Sequence, residues 1–204
     1  MPTVAASRDK TIVMRQITLL FCLVLSGAAA QSQTSKRILP LLSAEAPSLI
    51  DFDSYEKLLG EVKKHRKSHM VKLDSFLALS RRPGVIILDT RSDSMYEAKH
   101  IKGAIHLNFS DFTEATLARL IPDKNTRILI YCNNNFSNDR IYFATKSVTS
   151  VVFNEPPLTL ALNIPTYINL YGYGYKNVYE LSETVSVSNP KLSFEGSAVK
   201  SAVK

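Results

Sequence analysis

With 204 residues, 45% of them hydrophobic and 21% charged, the chain has room for one domain with a sizeable core plus extensions, and it is too polar to be built of membrane spans. The formal net charge of +7 is a mild excess; removing residues 1–30, which hold three cations (Arg8, Lys10, Arg15) and one anion (Asp9), leaves +5. That excess is concentrated in KKHRKSH (63–69), which reads as a solvated helix face and gives no reason to expect a nucleic-acid partner.

The N-terminal region 1–30 reads as an export signal, with translation starting at Met1 or at Met14. It has a basic start at Arg15, an apolar run from Ile17 to Leu25, and small residues at Ala28 and Ala30, with cleavage expected after Ala30. Phe21 argues against lipidation of Cys22, because a small residue is needed there. The mature chain is therefore expected to be exported, periplasmic or secreted, without stable membrane insertion. It would keep one cysteine, Cys132, so no intramolecular disulfide can form.

Residues 31–68 read as a linker and a helical extension. ILPLLSAEAPSLI is apolar but broken by Pro40 and Pro47. Beyond it, Asp53 and Glu56 stand at capping-box spacing, and Tyr55, Leu58, Leu59 and Val62 recur at helical spacing. His65 and His69, four apart among lysines, are expected at the surface and not as metal ligands.

From residue 69 to 182 short apolar runs alternate with short helices. MVKLD is a strand candidate, and SFLALSRR a helix stopped by Pro83-Gly84. VIILDT (85–90) suits a strand buried on both faces. A helix over SDSMYEAKH and a strand over GAIHLN (103–108) follow. DFTEATLARLI reads as a helix capped by Asp111 with Glu114, and RILIYC (127–132) as the next buried strand. After Cys132 the rhythm breaks across about 133–162. Asn163 then stands as a helix cap before Pro165, Gly172 and Gly174 as a helix end, and KNVYEL (176–181) as a last strand. Residues 183–204, rich in Ser and Lys, are expected to form a flexible tail.

Strands separated by helices define an α/β fold, a central parallel sheet flanked by helices. Ligands in such sheets gather outside the carboxyl ends of the strands, where Asp89, Arg91 and Cys132 fall.

Four stretches in this order, LDTRS (88–92), HIKGAIHL (100–107), ILIYC (128–132) and YGYKNVYEL (173–181), give the chain a resemblance to the rhodanese-like domain family. The resemblance implies a single domain with an N-terminal helical extension and makes Cys132 the nucleophile of a sulfurtransferase. Such a cysteine takes sulfane sulfur from a donor such as thiosulfate, becomes a persulfide, and passes the sulfur to a thiol or another nucleophile. Asp89 and Arg91 match the family's charged pair and His100, Gly103 and Ala104 its structural turn, so Asp89, Arg91 and His100 are expected to support the site. No cofactor and no metal are implied. The expected partners are a small sulfur-containing anion, a thiol acceptor and, for the enlarged loop, a protein.

A thiolate attacks sulfur better than a thiol, and convergent backbone N–H groups favour that thiolate. Asn133, Asn134 and Asn135 tolerate left-handed backbone angles and are candidates to curve the loop so that its amides face Cys132. Arg140 and Lys146 are the next cations and candidates to attract an anionic donor. The loop departs from the family in two respects: residues 133–140 hold no glycine, and about thirty residues separate Cys132 from the next helix. A non-catalytic binding module using the enlarged loop is the alternative. A cysteine phosphatase is the weakest reading, since Arg140 follows Cys132 after seven intervening residues rather than the usual five-residue step.

Overall fold

The computed structural model describes residues 49–148 and 158–199. The signal-like segment, the linker residues before Leu49 and residues 149–157 of the interrupted stretch lie outside the described residues. The elements, in chain order, are α1 (Phe52–Lys67), β1 (Met70–Val71), α2 (Leu73–Ser80), β2 (Val85–Asp89), α3 (Asp93–Ala98), β3 (His100–Ile101) and β4 (Ile105–His106). Then come a 3-10 turn (Phe109–Asp111), α4 (Glu114–Leu120), β5 (Arg127–Tyr131), a second 3-10 turn (Asn133–Asn135), β6 (Phe136–Ser137), β7 (Ser147–Val148) and β8 (Leu158–Thr159). The last are α5 (Asn163–Gly172), β9 (Val178–Leu181), β10 (Val185–Ser186) and β11 (Phe194–Glu195).

Five strands form one sheet in the order β1-β9-β5-β2-β4, and every pairing in it is parallel. The expected α/β fold, a central parallel sheet flanked by helices, is the fold observed. β5 lies at its centre, and the alternation of side chains along it divides the core. Ile128 and Ile130 point toward Val62 of α1, Leu117 of α4 and Tyr167, Ile168 and Leu170 of α5. Leu129 and Tyr131 point the other way, toward Leu73 and Phe76 of α2. Each fully buried Leu, Ile or Phe contributes about 1.5–3 kcal/mol, and these two layers hold the sheet on both faces. None of the described helices is long and apolar enough to cross a membrane.

Several local expectations are corrected. Helix α1 is capped two residues earlier than the Asp53–Glu56 spacing suggests: Asp51 accepts from the Ser54 amide at 2.9 Å. Helix α4 is capped by Thr113, in a reciprocal box with Thr116, and not by Asp111 and Glu114. Thr113 has the extended backbone a cap needs, whereas Asp111 is taken up in the preceding 3-10 turn. In α5 the N-cap is Leu162; Asn163 is the first helical residue, and its side chain is drawn inward by buried partners. The strand expected over 103–108 shortens to Ile105–His106, because Gly103 turns the chain at φ 79°.

The expected flexible tail is a strap as far as the described residues run. β10 pairs in parallel with β6, and β11 pairs antiparallel with β3, so residues 185–195 cross the molecule beside two earlier strands. Leu192 is buried, and Phe194 packs against Phe136 and Phe143. Spaced apolar residues anchor a Ser- and Lys-rich segment that composition alone reads as disordered.

Candidate active site around Cys132

Cys132 follows Tyr131, and the alternation along β5 sends its side chain to the face occupied by α5, the face of Ile128 and Ile130. The thiol is buried, with 1% of the residue exposed. Three backbone N–H groups lie close enough to its sulfur to favour its anion: that of Asn134 in the turn after the strand, and those of Leu162 and Asn163 at the start of α5. The helix that follows the long excursion therefore returns to the cysteine and presents its N-terminus, where unpaired N–H groups and the helix dipole favour negative charge.

Burial nonetheless dominates and pushes the thiol upward from its ordinary range, with the Glu180 carboxylate pushing the same way against the three amides. The site is a cradle for a sulfur anion in walls that favour the neutral thiol.

The three asparagines divide the work. Asn135 is the buried hinge of the loop. Its Oδ1 accepts from the Cys132 N–H at 2.9 Å and from Asn163 Nδ2 at 3.0 Å, and its Nδ2 donates to the Leu181 carbonyl at 2.7 Å. Asn134 pairs through its carboxamide with the backbone of Lys146 in both directions, at 2.9 Å each way. Asn133 opens the 3-10 turn. The left-handed angles expected of these residues are not used there: Asn138, at φ 67°, is the non-glycine residue with positive φ among the described residues. A 3-10 turn bends the chain by short-range hydrogen bonds and needs no glycine.

Asp89 and Arg91 lie on the opposite face of the sheet from Cys132. Both are almost fully buried. Arg91 binds Asp89 through Nε and Nη2, the latter at 2.6 Å, and donates to the carbonyls of Tyr142 at 2.9 Å and Lys99 at 2.7 Å. The Tyr131 hydroxyl donates to Asp89 and accepts from the Ile101 N–H. The pair thus ties the end of β2 to α3 and to the loop beyond β6. It does not reach the sulfur cradle from that side. His100 Nδ1 lies 2.6 Å from the Tyr96 carbonyl, and His106 bridges the Asp89 carbonyl and Asp93. Arg140 and the Lys146 side chain are exposed. Lys146 enters the site's framework through its backbone, as the partner of Asn134.

Sequence reasoning missed two residues. Glu180, buried on β9, and Arg66, from the basic run of α1, form an ion pair beside the cradle. KKHRKSH reads as a solvated face, yet Arg66 turns inward, and His65 does too, placing Nδ1 2.9 Å from the Tyr167 hydroxyl while stacking on His69. A lone Glu in the otherwise apolar VYEL strand is the one signal that points to a buried partner.

Strand order, the cysteine at the end of β5 and a helix N-terminus aimed at it define a single-cysteine α/β domain of the rhodanese type. The model of the rhodanese-like domain matches residues 72–185, more than half of the chain, and the chain belongs to that family. Among solved structures it is similar to the Rhodanese_3 like domain of the Alr3790 protein from Anabaena sp., at 20% identity over 55% of this chain and 92% of that one, with a TM-score of 0.34. It is also similar to a rhodanese with anions from E. coli, at 18% identity over 54% and 96% with a TM-score of 0.33. A third is the polysulfide-sulfur transferase homodimer from Wolinella succinogenes, at 17% identity over 69% and 93% with a TM-score of 0.37. No curated protein matches the chain.

Proposed function

We propose that this protein is an exported sulfurtransferase that carries sulfane sulfur as a persulfide on Cys132. The observation that carries the reading is the convergence of the Asn134, Leu162 and Asn163 amides on the one sulfur. With thiosulfate as donor, the Cys132 thiolate attacks the outer sulfur, a new S–S bond forms, and the old one breaks with its electron pair leaving on sulfite. An acceptor thiolate then attacks the terminal sulfur of the persulfide, and Cys132 departs as the thiolate. In the first step the negative charge passes from the Cys132 sulfur to the outer sulfur of the persulfide, and in the second it returns to Cys132, so it rests on sulfur beside amides that are already oriented. Asn133, Asn134 and Asn135 shape the loop, Asp89, Arg91 and His100 support it, and Arg140 and Lys146 attract an anionic donor toward it. Export rests on the signal-like segment before Gln31.

The test is intact-protein mass spectrometry after incubation with thiosulfate, polysulfide and a low-molecular-weight persulfide. A gain of one sulfur atom, absent in Cys132→Ser and removed by a thiol, is the expected result. No gain with any donor sinks the enzyme reading. The second reading, a non-catalytic module that binds a protein through the enlarged loop, is favoured by the 1% exposure of Cys132, which leaves a donor no direct line to the sulfur.

A further inference from the structure

Glu180 is a buried carboxylate that the sulfur-transfer steps do not use. On β9 it stands opposite Ile130 of β5 in the parallel register, so its side chain leaves the sheet on the face that Cys132, two residues beyond Ile130, also occupies. Arg66 grips it at two points, through Nε and through Nη2 at 2.7 Å, and Asn163 Nδ2 donates to it at 3.3 Å. Asn163 is also the residue whose backbone N–H serves the sulfur. Carboxylate, guanidinium and sulfur therefore share one buried neighbourhood in which charges are weakly screened.

The other titratable groups packed around this neighbourhood offer no substitute. The Tyr167 phenol of α5 donates to the Val178 carbonyl, and burial keeps it neutral. His65 of α1, behind it, is held toward neutrality by burial and then by His69. Glu183 turns away to accept from the Leu73 N–H. An unpaired carboxylate here would oppose a thiolate or persulfide anion, and an unpaired guanidinium would favour one.

We propose that Glu180 and Arg66 are positioning residues for Cys132, a charge couple in the wall behind the sulfur whose pairing decides how readily that sulfur carries a negative charge. Arg66 lies before residue 72, where the family match begins. The helical extension thus reaches the charge couple beside the sulfur through Arg66. The consequence for sulfur transfer rests on the carrier reading given above; the effect on ionisation does not.

The experiment uses the full chain with Cys22→Ser, 13C at cysteine Cβ, and NMR titration of the Cys132 signal. Glu180→Gln keeps the shape and the acceptor for Asn163 but removes the charge; it is expected to lower the Cys132 midpoint by about one unit. Arg66→Met is expected to raise it by about the same, and Arg66→Lys to return it toward the parent value. Unmoved midpoints in folded Glu180→Gln overturn the proposal, and that variant decides the matter alone if Arg66→Met does not fold. Sulfur loading is read in parallel by mass. A shifted midpoint without loading supports the couple and rejects the carrier, while loading with an unshifted midpoint does the reverse.

Discussion

Asn163 Nδ2 donates to Asn135 Oδ1 at 3.0 Å, and this bond joins the turn after β5 to a helix 28 residues further along the chain. Through it the loop and the helix that together surround Cys132 are fastened to each other and not merely to the sheet. Asn135→Ala would strip partners from the Cys132 N–H, Asn163 Nδ2 and two carbonyls at once. A loss of about 3 kcal/mol is expected in urea denaturation, since each buried group left unpaired costs about 1–3 kcal/mol and some will find water. Alkylation of Cys132 should accelerate in the same variant.

The Asp89–Arg91 pair on the far face has a different signature. Arg91→Met leaves a buried carboxylate with the Tyr131 hydroxyl and the Arg91 backbone amide as remaining donors, and removes the clamp on the Tyr142 and Lys99 carbonyls. A destabilisation of about 3–5 kcal/mol is expected, the range for breaking a buried ion pair by removing one partner. With the folded protein held well below its melting temperature, the Cys132 midpoint should not move, because this pair faces away from the sulfur.

The buried thiol also ties stability to pH. Folding raises its ionisation above the free value of about 8.5, so the native state keeps a proton that the unfolded chain gives up. This contribution is intact below the ordinary thiol range and is lost as pH climbs from there through the raised native value. Chemical denaturation from pH 7 to 10 should show stability falling with pH, and Cys132→Ala should flatten the part of the slope due to the thiol. A wild-type slope equal to that of the variant would contradict the burial described.

The C-terminal strap yields a sharper test. Gly196 sits at φ 129°, and a Cβ there would lie 2.5 Å from the Ala98 carbonyl oxygen. Gly196→Ala combines that collision with a backbone conformation L residues avoid. It is expected to cost about 1–3 kcal/mol and to release hydrogen-exchange protection at Lys102, whose N–H donates to the Ser193 carbonyl.

The sheet is legible because its strands are short and mostly apolar, as VIILD and RILIY show, and because the motifs fall in family order. Cys132 stood out for its place at a strand end. The support around it was not legible in the same way. Asn163 reads as a cap until tertiary partners claim its side chain, and Arg66 looks identical to the lysines beside it until Glu180, 114 residues later, supplies a buried charge. The tail misled because composition averages over residues, whereas Leu192 and Phe194 act one at a time.

The two-way pairing of Asn134 with the Lys146 backbone has a consequence for how such chains can diverge. It seals residues 134–146 as a closed loop, and Asn163 begins the cradle afresh on the other side. A loop closed in this way can change length at a cost that grows only logarithmically with its number of residues. Length changes in the exposed stretch near Arg140 would therefore leave the Asn135–Asn163 bond, and the sulfur it flanks, where they are.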